Sequence, residues 1–241
     1  MPRILLATDF SKWALRAEDY ACCLAATWRA TLTVLNVLEF PPGMNPEYPV
    51  NQVYLGELMK AGAKQLVELK ARASARGISV HTRVATGIPC EEVLAAVKAE
   101  DSDLVIVGTK GKSGLAHVLL GSTAERVIRT SPCPVLAVRT DPGAAAVGSA
   151  GPCEGIGLSR ILVPVDFSDC SLEAVEYAAL MAQRHNAAVT LLHVLEPVSY
   201  GLDFTLIQTG KGEEMRERLT ARLGDITRAL ADAGIPADSQ E

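Results

Sequence analysis

The segment Arg3-Ile4-Leu5-Leu6-Ala7-Thr8-Asp9-Phe10-Ser11 returns as Arg160-Ile161-Leu162-Val163-Pro164-Val165-Asp166-Phe167-Ser168, and this duplication constrains the fold more than any other feature of the 241-residue chain. At one constant offset Leu15 to Trp28 aligns with Leu172 to His185, and Thr31 to Glu39 with Ala188 to Glu196; about seventeen of thirty-seven positions are identical without a gap. Each copy reads as an apolar strand, an acidic turn, a helix and a second apolar strand. Strands that alternate with helices imply a parallel sheet with right-handed crossovers. Residues 1–140 are therefore expected to form a complete α/β domain and 159–241 a truncated second copy. The small-residue-rich stretch 141–158 between them reads as a flexible linker. In the second copy Gly234 matches Gly77, after which the sequence reaches Glu241 where a third strand is expected. Counterparts of Ala85 to Arg139 do not follow.

In the first copy Phe40 to Val53 reads as a long loop and Tyr54 to Arg76 as a helix, with Gly77 as C-cap before the strand Ile78 to Val84. Pro89 to Ala99 predicts a short helix, with Glu91 and Glu92 favourable at its start. Leu104 to Val107 and Val135 to Val138 supply two more strands, the first an apolar run of the kind buried on both faces of a parallel sheet. Five such strands predict a flavodoxin-like, HUP-type sheet of order 3-2-1-4-5. Its switch point, where ligands bind, falls between the first and fourth strands. Asp9 ends the first and Gly108 the fourth, so two separate stretches converge on one crevice.

The stretch Leu104 to Ser122, LVIVGTKGKSGLAHVLLGS, carries the strongest chemical signal. Gly108 and Gly111 permit positive φ and let backbone amides approach an anion closely. Ser122 or Thr123 is placed to cap a helix through Ala124, Val127 and Ile128, whose N-terminus would offer amides and a positive dipole end to a phosphate. Lys110 and Lys112 read either as phosphate neutralisers or as solvated loop residues, and Asp9 either as a helix cap or as a ligand contact. Gly111-Lys112-Ser113 is not the end of a P-loop, because that motif needs glycine where Ile106 stands. The competing reading is a glycine turn with no ligand.

Gly108, two residues, Gly111, nine residues and Gly121-Ser122, behind a strand and before a capped helix, resembles the nucleotide motif of the universal stress protein family. The resemblance covers nearly the whole chain and implies a tandem member with an incomplete second copy. It implies ATP, with or without Mg²⁺, as the ligand. Ala7, Thr8 and Asp9 would lie near the adenosine and Val37 and Val107 would flank adenine, while Gly108, Gly111, Gly121, Ser122 and Thr123 would hold ribose and phosphates. In tandem members of the family the final strands of the two domains pair. Here Val135 to Val138 is instead expected to pair with a second molecule, giving a homodimer or higher oligomer.

A net charge of −5 disfavours a general nucleic-acid binder, and no apolar run is long enough for a membrane span. A protein of the cytoplasm is expected. Cys22, Cys23, Cys90, Cys133, Cys153 and Cys170 show no CxxC pair and are expected to be free thiols. The four histidines lack metal-ligand spacing. Three function classes remain: an ATP-binding stress or regulatory protein that acts by binding and oligomerisation, a slow ATPase or other adenine-nucleotide enzyme, and a nucleotide-free interaction module.

Overall fold

The computed structural model describes residues 1–39, 48–110, 120–139, 158–195 and 209–240, with side chains from 214 onward in the last of these segments. The chain divides into two compact units, Met1–Ile156 and Gly157–Glu241.

The first unit contains β1 (Arg3–Ala7), α1 (Leu15–Trp28), β2 (Thr31–Leu38), α2 (Pro49–Ser74), β3 (Ser79–Thr86), α3 (Pro89–Glu100), β4 (Leu104–Gly108), α4 (Ser122–Thr130) and β5 (Val135–Val138). Its five strands are parallel and ordered β3-β2-β1-β4-β5, as the sequence predicts. Side chains alternate across each strand, so the sheet buries two cores. Ile4, Leu6, Leu32, Val34 and Ile106 pack with α1 and α2 on one face, and Leu5, Leu35, Val105 and Val107 with α3 and α4 on the other.

α2 begins at Pro49, earlier than the loop expected through Val53; the Phe40–Glu47 part of that loop lies outside the described residues. Proline at the first helical position has its φ already set for a helix and loses no bond there. The apolar side chains that follow are exposed, Val50 at 73% and Val53 at 70%, so no buried stripe marks this first turn.

The second unit contains β6 (Arg160–Pro164), α5 (Asp169–His185), β7 (Ala188–Leu192), α6 (Thr209–Asp232) and β8 (Ala237–Gln240), with a parallel sheet ordered β6-β7-β8. The duplication extends to backbone angles. Phe10 and Phe167 both have positive φ, 57° and 64°, at equivalent turns; Arg29 and Asn186 end their helices at 52° and 53°, and Gly77 and Gly234 turn at 76° and 78°. The core differs. Val163, Val165, Val189 and Leu191 pack with α5 and α6 on one face, whereas Leu162 is 60% exposed and its counterpart Leu5 is 0% exposed.

Cys22, Cys90, Cys133 and Cys170 are free, but Cys23 is disulfide-bonded, against the expectation of thiols throughout. The bridge is not the adjacent pair, since Cys22 is free, and spacing along the sequence reports only on cysteines close in the chain. Among the described residues no helix is long and apolar enough to cross a membrane.

Candidate functional site

The C-terminal ends of β1 and β4 lie side by side, with Ala7 paired to Val107. From there the chain leaves toward opposite faces, into α1 after β1 and into α4 after β4, which opens a crevice at the switch point. Val107 is buried in the same core that Ala7 and Val37 pack against, so the residues expected around adenine share one face of the sheet.

The turn after β1 is tightly specified. Asp9 Oδ1 accepts from the Ser11 amide at 2.9 Å, closing a turn ahead of the helix, but Asp9 does not cap α1, whose N-cap is Ala14 with no side-chain bond, against the first of its two expected roles. The Thr8 amide donates to the Leu35 carbonyl at 2.9 Å, and the Thr8 carbonyl accepts from Asn36 Nδ2 at 2.8 Å. The buried Thr8 hydroxyl donates to Glu18 Oε1 at 2.8 Å and accepts from the Phe10 amide at 3.0 Å. Arg72 of α2 lies 3.5 Å from Glu18 Oε2. Burial pushes the Glu18 carboxyl up, against the Thr8 hydrogen bond and the Arg72 charge, which pull it down.

The turn after β4 shows why Gly108 is glycine. Its φ is not positive, so the freedom that glycine permits is not used there; a Cβ would stand 3.3 Å from the Trp13 carbonyl oxygen and 3.4 Å from that of Lys110. The absent side chain lets the start of α1 close onto the end of β4. The Thr109 amide donates to the Val138 carbonyl, and the Thr109 carbonyl accepts from the Gly121 amide at 2.8 Å, drawing α4 back to the strand end. Gly121 is itself the N-cap of α4 and no side chain caps the helix, so Ser122 and Thr123 stand in its first turn and are not its caps. Their amides belong to the set that has no intrahelical acceptor. Lys110 Nζ lies 5.4 Å from the Trp13 ring centre and Lys12 Nζ 4.9 Å, placing two cations beside the crevice. Gly111 and Lys112 lie outside the described residues.

The crevice suits a nucleotide on three observations: a helix N-terminus without a side-chain cap and a buried Ser11 hydroxyl without a hydrogen-bond partner, both among the described residues, and two nearby ammonium groups. Among the described residues no group of three His, Cys, Asp or Glu side chains is placed to hold a metal. Sequence reasoning missed Glu18, Asn36 and Trp13. A signal for Glu18 was present in the duplication, which sets a valine, Val175, opposite it.

The second unit repeats half of this arrangement. Asp166 Oδ1 accepts from the Ser168 amide at 2.9 Å and its hydroxyl at 2.6 Å, bonds that hold the exposed Asp166 carboxyl down to about 2. His193, the counterpart of Asn36, places Nδ1 2.6 Å from the Val165 carbonyl oxygen. β6 pairs with β7, and among the described strands none takes the place of β4 beside it.

A parallel α/β sheet with a glycine-lined crevice at its switch point defines a class of small-ligand-binding domains. The universal stress protein family model matches residues 1–139 and 157–241, and the chain belongs to that family. It is 33% identical over 138 residues to universal stress protein MJ0531 of Methanocaldococcus jannaschii, covering 57% of this chain and 81% of the relative. To universal stress protein Rv2005c of Mycobacterium tuberculosis it is 27% identical over 216 residues, covering 84% and 70%. A solved universal stress protein from Archaeoglobus fulgidus matches the fold across 99% of this chain and 77% of its own, with a TM-score of 0.69 at 22% identity.

Proposed function

We propose that the first unit binds ATP in the β1/β4 crevice and that the protein acts in stress response or regulation through this binding. The observation that carries the reading is the meeting of the Asp9 turn, the Gly108 turn and the N-terminus of α4 at one switch point. Adenine would lie against Val37 and Val107, and adenosine near Ala7, Thr8 and Asp9. Phosphates, with or without Mg²⁺, would lie against Gly108, Gly111, Gly121, Ser122 and Thr123, with Lys110 and Lys112 supplying positive charge. The nucleotide domain would occupy residues 1–140, joined to the second copy by 141–158. β5, which pairs with β4 alone among the described strands, would meet its twofold mate in a homodimer.

Calorimetric titration with Mg·ATP tests the site. Gly121→Val places a branched side chain where the Cβ already approaches the Thr109 carbonyl oxygen to 3.4 Å. Affinity is expected to fall by about tenfold or more, the scale of one hydrogen bond to a charged group. An unchanged affinity would remove the phosphates from this loop.

A further inference from the structure

The duplication supplies an internal control for the buried polar cluster under the β1 turn. In the first unit the cluster is Thr8, Glu18 and Arg72; at the equivalent positions of the second unit stand Val165, Val175 and Ala229. All four inner residues are buried: Thr8 at 5%, Glu18 at 4%, Val165 at 3% and Val175 at 6% exposed. The strand and the left-handed phenylalanine, Phe10 in one and Phe167 in the other, are nonetheless the same, although α5 starts at Asp169, opposite Lys12, three residues earlier than α1 does. One chain therefore builds this element twice, once around a carboxylate and once around two valines.

A carboxylate withdrawn from water costs free energy that a valine does not, and exchanging buried ionic groups for apolar ones of similar size is often neutral or stabilising. The second unit forms the same strand and the same left-handed phenylalanine without a carboxylate. It ties its helix to its turn at other atoms, Ser171 bonding Ser168 through both its amide and its hydroxyl; what the first unit adds is a hydrogen-bonded connection from the helix to the amide of the left-handed phenylalanine. Glu18 Oε1 accepts from the Thr8 hydroxyl, and the Thr8 oxygen accepts from the Phe10 amide. Phe10 sits at a φ of 57°, a left-handed conformation that residues other than glycine rarely adopt. It adjoins Asp9, which the proposed site places near the adenosine. In the second unit the equivalent hydroxyl is a valine methyl, and Phe167 is instead held through its ring, with the Arg222 guanidinium 4.2 Å and the His193 ring 5.1 Å away. The connection thus occurs in the unit that carries the glycine crevice.

We infer that Glu18 is a positioning residue for the nucleotide site: through the Thr8 hydroxyl it fixes the Phe10 amide and so holds the Asp9 turn in its binding shape before the ligand arrives. Pre-organisation of this kind raises affinity by removing an ordering cost from the binding step. The charged and polar groups around the carboxylate are Arg72 from α2, Asp19 from its own helix, Asp9 from the turn and the Thr8 hydroxyl. The inference rests on the proposed ATP site and deepens it.

Three variants of the full chain test it: Glu18→Val, the double variant Thr8→Val/Glu18→Val that reproduces the second unit, and Glu18→Gln, whose amide oxygen still accepts from Thr8. Each is measured for Mg·ATP affinity, for thermal unfolding, and for hydrogen exchange at the Phe10 amide without ligand. Glu18→Val and the double variant are expected to bind ATP about tenfold more weakly, the scale of one hydrogen bond, while melting no lower than the parent. Their Phe10 amide exchanges faster, and Glu18→Gln stays close to the parent in affinity and exchange. Parental affinity in both valine variants would overturn the inference. So would a loss of affinity that tracks a loss of stability in all three, which would make Glu18 a structural residue only. Should Glu18→Val not fold, the double variant and Glu18→Gln carry the same comparison. A parent chain that binds no ATP would refute the site itself, whereas a parent that binds alongside unaffected variants refutes only the role of Glu18.

Discussion

Glu18 also makes a prediction about stability. Its carboxyl is raised above the ordinary value of 4.5 chiefly by burial, so the folded state holds its proton more tightly than the unfolded chain does. Stability from this group is full below pH 4.5 and is lost as pH rises through the raised folded value. At neutral pH, then, the charge is a cost. Glu18→Gln is expected to raise the melting temperature at pH 7, with the advantage shrinking as pH falls toward 4.5; an advantage that grows on acidification would contradict the burial argument. Asp9 and the glycines could be read from sequence because their types are rare in strands and recur at telling spacings. Glu18 was harder to read, because a glutamate on a helix ordinarily faces water; Val175 opposite it in the duplication is the sequence hint, and the packing of α1 onto the sheet shows it buried.

Between elements, the site depends on two close approaches made through glycine. Gly62 of α2 faces β2, where an added Cβ would stand 2.7 Å from Asn36 Oδ1, and Asn36 in turn holds the Thr8 carbonyl. Gly62→Ala is expected to destabilise the first unit by about 1–3 kcal/mol, the usual cost of overpacking, as measured by urea unfolding. A neutral result would show that Asn36 can swing away freely. Gly108 plays the same part between β4 and the start of α1. The strands and their order were legible because apolar runs and strand–helix alternation are signals of composition and period. The ends of elements were less so. α2 opens with exposed valines that give no buried stripe, and α4 takes its cap from Gly121 because the bond from that residue's amide to Thr109 fixes where the helix begins.

For the whole chain, the two units share a sequence pattern, and the proposed site belongs to the first. In the first, β1 lies between β2 and β4; in the second, β6 pairs with β7 alone among the described strands, and Leu162 stays exposed where Leu5 is buried. The duplication revealed the kinship of the units, but one-sided burial of the second sheet depends on which segments pack around it. At the β5 edge the proposed dimer predicts twice the chain mass by light scattering at micromolar concentration. Replacing Leu136 by lysine should shift it toward monomer, since charge on an edge strand opposes pairing; a monomeric parent would refute that interface. The central claim is that one unit carries the nucleotide site and the other does not. Equilibrium dialysis with labelled ATP against the full chain measures this directly. The account predicts saturation at one nucleotide per chain, with binding weakened by Gly121→Val and unchanged by Asp166→Ala. No binding, two nucleotides per chain, or the opposite response of the two variants would contradict it.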